Sequence, residues 1–545
     1  MRLQKIAMTK KSSIFDEFLH DREFAGSFYQ YHPWREESIY ERARDLKTSK
    51  PAVSRQELVR VLRSYHQPDL LHPEVERNLN RLAEEDSMVV IGGQQAGLLG
   101  GPLYTFYKAI TIVRLAKQAE EQLGKPVIPV FWIAGEDHDL EEVNHVWVQN
   151  GDKEPVKHRF EVKDQRKIPI SRRGLDEKQY RDWLDQLAKI LPDRPYKEEW
   201  LAQCKKWGID TPSWTRLFAK VFHHFFGPYG LLLVDSHDEN LRRLEVPVFK
   251  RMIRQSRAIA RAVQNASDRL IGRGLEVPVD LKEDQGNLFI QIDGERQLLF
   301  QKGGQWTTKD GLKKWSEDEL LSLVEQEPAL FSNNVITRPI MQEALFPTLY
   351  FVAGPGEIAY WSLLKEAFYE LGLKMPIVIP RVFVTLMDPA LEKRMDEFAL
   401  GLEELENLKQ KKMKWIDEQQ PPDLTDRFQE AVDAILGHHG QLVGYLHQTI
   451  GMNMKEIGKK NEEKIKAQID YLHRFAKKSL EEKHRASLRK WDELIHGIYP
   501  NDKPQERVYN MIWAWNEHGM DWIDFLLRAP SPEVRLDGSV HVLLI

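Results

Sequence analysis

The segment E-D-H-D-L-E-E-V-N-H, residues 136–145, crowds carboxylates and two histidines into ten positions. Carboxylates beside imidazoles can hold Mg²⁺ on a nucleotide, orient a water or move a proton. Acidic residues also collect at helix N-termini, where they cap backbone N–H groups, so the same composition serves a purely structural end. The segment follows the apolar run P-V-I-P-V-F-W-I, residues 126–133. It therefore leaves a strand at the end where open α/β sheets bind ligands. Asp137, His138 and Asp139 are expected to carry chemistry, with Asn144 and His145 supporting them from the following helix. No third ligand is set by spacing, and the lone Cys204 excludes a disulfide and a multi-thiolate zinc site. No dedicated metal centre is expected.

A second set surrounds V-V-I-G-G-Q-Q-A-G-L-L-G-G-P-L-Y-T-F-Y-K, residues 89–108. An apolar strand breaks into a turn holding Gly92, Gly93, Gly97, Gly100 and Gly101, and a helix follows. Such a turn lets backbone N–H groups approach a phosphate or carboxylate. The spacing matches neither the dinucleotide fingerprint nor Walker A. Gly92 and Gly93 are read as cofactor-binding, the Gln94 and Gln95 amides as catalytic, and Gly97 as substrate-binding. Tyr104 and Lys108 lie four apart, on one helix face that could close the pocket. Further candidates follow other strands. Asp235 and Ser236 end the run 230–234 and, with Gly354, are read as cofactor-binding; Gly356 and Glu357, just after Gly354 at a helix start, are read as substrate-binding. Tyr360 and Trp361 could wall a sugar or base, and Arg338 is a fork for a carboxylate.

These residues need a sheet to position them. Candidate strands at 88–91, 126–133, 230–234, 349–352 and 376–382 alternate with helical stretches, which indicates an open parallel sheet covered on both faces. Residues 146–208 and 268–328 look inserted between these units, the latter with a hairpin turning at Asp293-Gly294. Beyond residue 390 the chain becomes rich in Glu, Lys, Leu and Gln. A long helix is expected from 453 to 494, with Ile465, Ile469, Leu472 and Ala476 as a short apolar seam. The division is thus a parallel-sheet core over 1–390, a helical coiled-coil arm over 391–510 that is expected to form a homodimer, and a last helix and hairpin over 511–545.

Composition narrows the function. Lys and Arg total 78 against 83 Asp and Glu, a net charge of −5, which offers no field for nucleic acid or anionic lipid. Neither a leader-like apolar stretch nor a membrane-length one occurs, so a cytoplasmic protein is expected.

The motifs at 91–108, F-W-I-A-G-E-D-H-D-L-E-E-V-N-H at 131–145, F-V-A-G-P-G-E-I-A-Y-W at 351–361, N-N-V-I-T-R-P at 333–339 and P-Q-E-R-V-Y-N at 504–510 resemble the bacillithiol-biosynthesis cysteine-adding enzymes, the BshC family. The resemblance spans the chain. It implies a Rossmann-like core with two connecting-peptide insertions and a coiled-coil domain used for dimerisation. It also implies a ligase joining L-cysteine to glucosaminyl-malate in the last step of bacillithiol synthesis. ATP with Mg²⁺ is the implied activator, by analogy with a relative that forms a cysteinyl adenylate. The two malate carboxylates would want Lys108, Arg338 or Arg381. The class I synthetase signatures H-x-G-H and K-M-S-K-S are absent. Two other readings remain: a nucleotidyltransferase-like enzyme activating a different acid, and a coiled-coil scaffold on a degenerate core.

Overall fold

Five apolar runs form one parallel sheet: β1 (Met88–Gln94), β2 (Val127–Ile133), β3 (Leu232–Asp235), β4 (Thr348–Ala353) and β5 (Ile377–Pro380). Their spatial order is β3-β2-β1-β4-β5. Every residue in them except Gln94 is buried, as expected for a sheet covered on both faces. The order reverses between β1 and β4, which makes the crevice beyond their C-terminal ends the topological switch point. The structure is a computed structural model and describes residues 1–6, 13–49, 51–280, 282, 284–419, 421–451, 453–530 and 533–545. None of its described helices is long and apolar enough to cross a membrane.

Strand β1 runs further than the apolar pattern predicts, through Gly92 and Gly93 to Gln94, which pairs with Ile133. A Cβ on Gly92 would stand 2.8 Å from the Val352 carbonyl oxygen, and one on Gly93 would collide with that of Trp132. These glycines let neighbouring strands close. The true turn is Gly97–Pro102, where Gly100 and Gly101 take φ of 84° and 72°. Asn510 donates its amide to the carbonyls of Leu98 (3.1 Å) and Gly101 (2.7 Å). The helix α1 (Leu103–Leu123) then returns along the sheet.

The first insertion is an antiparallel pair, His145–Gln149 with Pro155–Arg159, followed by helices Glu177–Ile190 and Lys197–Gly208. The second holds Gln285–Ile292 and Glu295–Lys302, which turn at Asp293 (φ 53°) and Gly294 (φ 83°), the two positive φ values of a type I′ hairpin. Phe331–Asn333 adds to that sheet beside Gln285–Ile292. Helix α2 (Glu239–Arg254) follows β3, α3 (Thr337–Leu345) precedes β4, and α4 (Pro355–Trp361) follows it.

The chain divides into two units, Met1–Leu386 with Gln505–Ile545, and Met387–Pro504. The arm boundary expected at 510 moves because Glu506 and Asn510 bond into the first unit. The last strand, Val540–Leu544, pairs with Arg2–Ile6 instead of closing a local hairpin. In the second unit, Leu424–Ile450 and Asn453–Lys483 pack antiparallel about Gly451, with Phe428 stacked on His473 at 4.4 Å. The expected single helix to 494 breaks at His484, and Arg485–Ile498 continues as a separate helix.

Candidate active site

At the switch point, Lys108 reaches back from α1 under the sheet edge. Its Nζ donates to Gly93 O (2.6 Å), Glu357 Oε2 (2.5 Å) and Gln94 Oε1 (3.3 Å). Its side chain is 1% exposed, and burial lowers the ammonium pKa against the opposing pull of Glu357. Glu357 also accepts from Gly354 N (2.8 Å), which caps α4. Gln94 donates to the Tyr104 hydroxyl at 3.2 Å. Arg338, at the start of α3, donates to the Tyr360 hydroxyl and lies 3.9 Å from Glu357 Oε1, while its buried Nε has no hydrogen-bond partner among the described residues. One network thus joins Gln94, Tyr104, Lys108, Arg338, Glu357 and Tyr360. Gly356 has open space around it.

Two expected binding residues are otherwise engaged. Arg381 is 2% exposed, and its guanidinium forks onto Glu506 at 2.8 and 2.5 Å. Trp361 is 1% exposed and stacks on Phe351 at 4.1 Å, inside the core.

The acidic turn lies beyond β2. Gln95 donates to Asp137 Oδ2 at 2.7 Å, tying the glycine stretch to the turn, and Asp137 Oδ1 accepts the His138 N–H at 2.7 Å. Side-chain exposures are 26% for Asp137, 16% for His138 and 57% for Asp139, so the three line an open wall. Glu136 is different. It is buried, holds the Asn333 N–H at 3.2 Å and pairs with Arg242, which also pairs with Glu245. With a second carboxylate beside it, burial lifts Glu245 to about 7. Asn144 and His145 begin the inserted hairpin, and Asn144 O accepts the Phe160 N–H at 2.7 Å. Among the described residues neither is hydrogen-bonded to Asp137, His138 or Asp139.

Asp235 and Ser236 lie across the turn. Ser236 Oγ accepts the Glu136 N–H (3.2 Å), and burial raises the Asp235 carboxyl to about 6. A cavity of about 970 Å³ opens there, lined by Ser171, Arg216, Asp235 and His237 among others. The expected cofactor residues therefore divide: Gly92, Gly93 and Gly354 at the switch point, Asp235 and Ser236 beside this cavity.

Sequence reading missed Arg242, Glu245 and Arg296. Arg296 comes from the inserted hairpin and stands 3.3 Å from His138 Nδ1 and 3.8 Å from Asp137 Oδ1. Its only sequence signal is a cation near the start of a strand.

Residues 1–382 match the N-terminal Rossmann-like domain of bacillithiol biosynthesis BshC, and residues 384–536 match its C-terminal coiled-coil domain. This chain belongs to the BshC family. A relative from Bacillus cytotoxicus is 36% identical over 100% of both chains, and relatives from Bacillus cereus strain AH187 and Bacillus thuringiensis subsp. konkukian are 34% identical over 100% of both. Each carries the name "Putative cysteine ligase BshC".

In this BshC-family site no complete oxygen shell for Mg²⁺ is preformed among the described residues. Asp137, His138 and Asp139 each offer an atom, all within 4.8 Å of one another. Arg296 already puts a positive charge against two of them, and imidazole is foreign to the oxygen shell of Mg²⁺. In the glycine turn three N–H groups are spent locally, Gly97 on Gln95 O, Gly100 on Gly97 O and Gly101 on Leu98 O.

Proposed function

We propose that this chain is a ligase that forms an amide between the carboxylate of L-cysteine and the glucosamine amine of glucosaminyl-malate, the last step of bacillithiol synthesis, with ATP as cosubstrate. The observation that carries this reading is end-to-end similarity to BshC proteins, over both the Rossmann-like and coiled-coil parts. ATP enters through the chemistry, because a free carboxylate must be activated before an amine can displace its oxygen. Attack of the cysteine carboxylate on the α-phosphorus would give cysteinyl adenylate and pyrophosphate. The deprotonated amine would then form the C–N bond and expel AMP.

The chain's own residues support the second step best. Asp137 and Asp139, partly open, can accept amine N–H groups and take the proton released on attack. Arg338 keeps an Nε at the switch point that is unpaired among the described residues, and it is the switch-point cation best suited to a malate carboxylate. Lys108, fully committed to Gly93, Gln94 and Glu357, holds the crevice floor in place.

The arm supports a homodimer in the cytoplasm. Leu442, Tyr445, Ile450, Tyr471, Leu472 and Phe475 are each more than half exposed on two packed helices, apolar surface that a second copy would cover. Sedimentation of a chain with Leu442, Tyr471 and Phe475 replaced by serine should give monomers; an unchanged dimer would refute the arm as the interface.

A thiol profile of cells lacking the gene tests the step itself. Accumulated glucosaminyl-malate without bacillithiol is the expected outcome, and an unchanged profile would remove the assignment.

A further inference from the structure

The inserted hairpin delivers one side chain to the acidic turn, and its hydrogen bonds fix the chemistry of a neighbour. Arg296 is over nine-tenths buried, with its guanidinium 3.8 Å from the Phe289 ring centroid. Nε donates to Ser332 Oγ at 2.9 Å, and Nη2 donates to the Asn333 carbonyl. These contacts hold Nη1 at 3.3 Å from His138 Nδ1. A guanidinium stays protonated and has donors only, so Nδ1 must be the acceptor. The single proton of the neutral ring then sits on Nε2. That atom makes no hydrogen bond among the described residues, is not enclosed, and has the Asp139 carboxylate 3.8 Å away.

We infer that Arg296 is a positioning residue that locks His138 as the neutral Nε2–H tautomer, so that His138 donates to an oxygen of the reacting group and does not act as the base. The catalytic half of this rests on the ligase reading; the tautomer rests on geometry alone. Four charged groups act on the ring: Arg296 and Lys167 disfavour its protonation, and Asp137 and Asp139 favour it. Burial and Arg296 dominate and keep the imidazole below its ordinary pKa. A second proton on Nδ1 would also set N–H against N–H. In the reaction, the amine nitrogen bonds to the cysteinyl carbonyl carbon and the carbonyl oxygen gains the electron pair. Nε2–H stabilises that oxyanion. On collapse the carbon–oxygen bond to AMP breaks, AMP leaves with its pair, and the amine proton passes to Asp137 or Asp139.

The test is a long-range ¹H–¹⁵N spectrum of the full chain labelled with ¹⁵N-histidine, with His138 assigned by its loss in His138→Gln. The expected pattern has a protonated Nε2 and a bare Nδ1; a proton on Nδ1 overturns the lock without any appeal to activity. Arg296→Met, which keeps no donor, should lose the single-tautomer signature, and retention of it would overturn the role of Arg296. If that variant does not fold, Arg296→Lys, which keeps a donor, should preserve the pattern, and Nδ1 protonation there would refute the lock. With the ligase assay, His138→Gln places an amide donor near the Nε2 position and His138→Asn near Nδ1. The Gln variant should keep a kcat roughly tenfold above the Asn variant, and equal losses would overturn the donor role. Absence of any ligase activity in the parent would strike the functional reading and leave the tautomer to the spectrum.

Discussion

The two halves of the sheet's C-terminal edge treat charge in opposite ways. Between β1 and β4, two cations are closed off, Lys108 with Glu357 and Arg381 with Glu506, and only Arg338 among the three named there keeps a donor without a partner among the described residues. Beyond β2, Asp137, His138 and Asp139 remain partly open, while the charges that support them, Arg296 and the Glu136–Arg242–Glu245 set, are buried. A buried ion pair with both partners satisfied mainly specifies structure, because its groups cannot leave each other without a large desolvation cost. A carboxylate held by one amide and left open to solvent can still exchange its partner for a substrate. The difference assigns a framework role to the first region and reactive groups to the second.

Breaking the framework should cost most. Lys108→Met leaves the buried Gly93 carbonyl and the partly buried Glu357 carboxylate without their cation, and unfolding in urea should show a loss of about 3–5 kcal/mol. Adding Glu357→Gln should return part of that loss; if the single variant is as stable as the parent, the closed pair is not a framework element. Asp137→Asn should do the reverse, leaving the melting temperature unchanged while kcat/KM falls by about 2–4 kcal/mol of transition-state stabilisation. Near-parental kcat/KM would return the acidic turn to a structural role.

Much of the framework was legible in the sequence, and the reasons are local. Strand β2, the glycine-rich stretch, the Asp293-Gly294 hairpin and the two-part division each follow from patterns within a short window. What stayed hidden depends on distant partners. Lys108 reads as an open helix-face cation until Glu357, 249 residues away, closes it. Arg381 reads as a carboxylate fork until Glu506 fills it. Gly92 and Gly93 read as turn residues because strand-to-strand closeness leaves no mark in one sequence. The pairing of Val540–Leu544 with Arg2–Ile6 has no local signal at all.

Asp235 sharpens the comparison from the flank of the acidic turn. Its carboxyl is raised from 3.8 to about 6, so the folded chain keeps a proton that the unfolded chain has lost. The resulting stability is complete below the unfolded value and is lost as pH rises through about 6. Asp235→Asn should remove that slope, a difference of about 2 kcal/mol between pH 4 and pH 7; parallel pH–stability curves for variant and parent would contradict it. The smallest effect belongs to the turn. A Cβ on Gly97 would lie 2.8 Å from Gly101 Cα, so Gly97→Ala should lower stability by about 1–2 kcal/mol. If stability is unchanged and only ligand affinity falls, Gly97 serves the ligand after all.

The most direct measurement joins both regions in one reaction. Purified chain is incubated with L-cysteine, glucosaminyl-malate and ATP, and products are followed by mass spectrometry for the parent, Asp137→Asn and Lys108→Met. The account predicts cysteinyl-glucosaminyl-malate formed together with AMP and pyrophosphate in the parent. It predicts a folded but nearly inactive Asp137→Asn, and a Lys108→Met chain whose activity falls in step with its folded fraction. A fully folded Lys108→Met with no activity beside an active Asp137→Asn would reverse the roles assigned to the two regions, and no amide product in the parent would contradict the ligase reading itself.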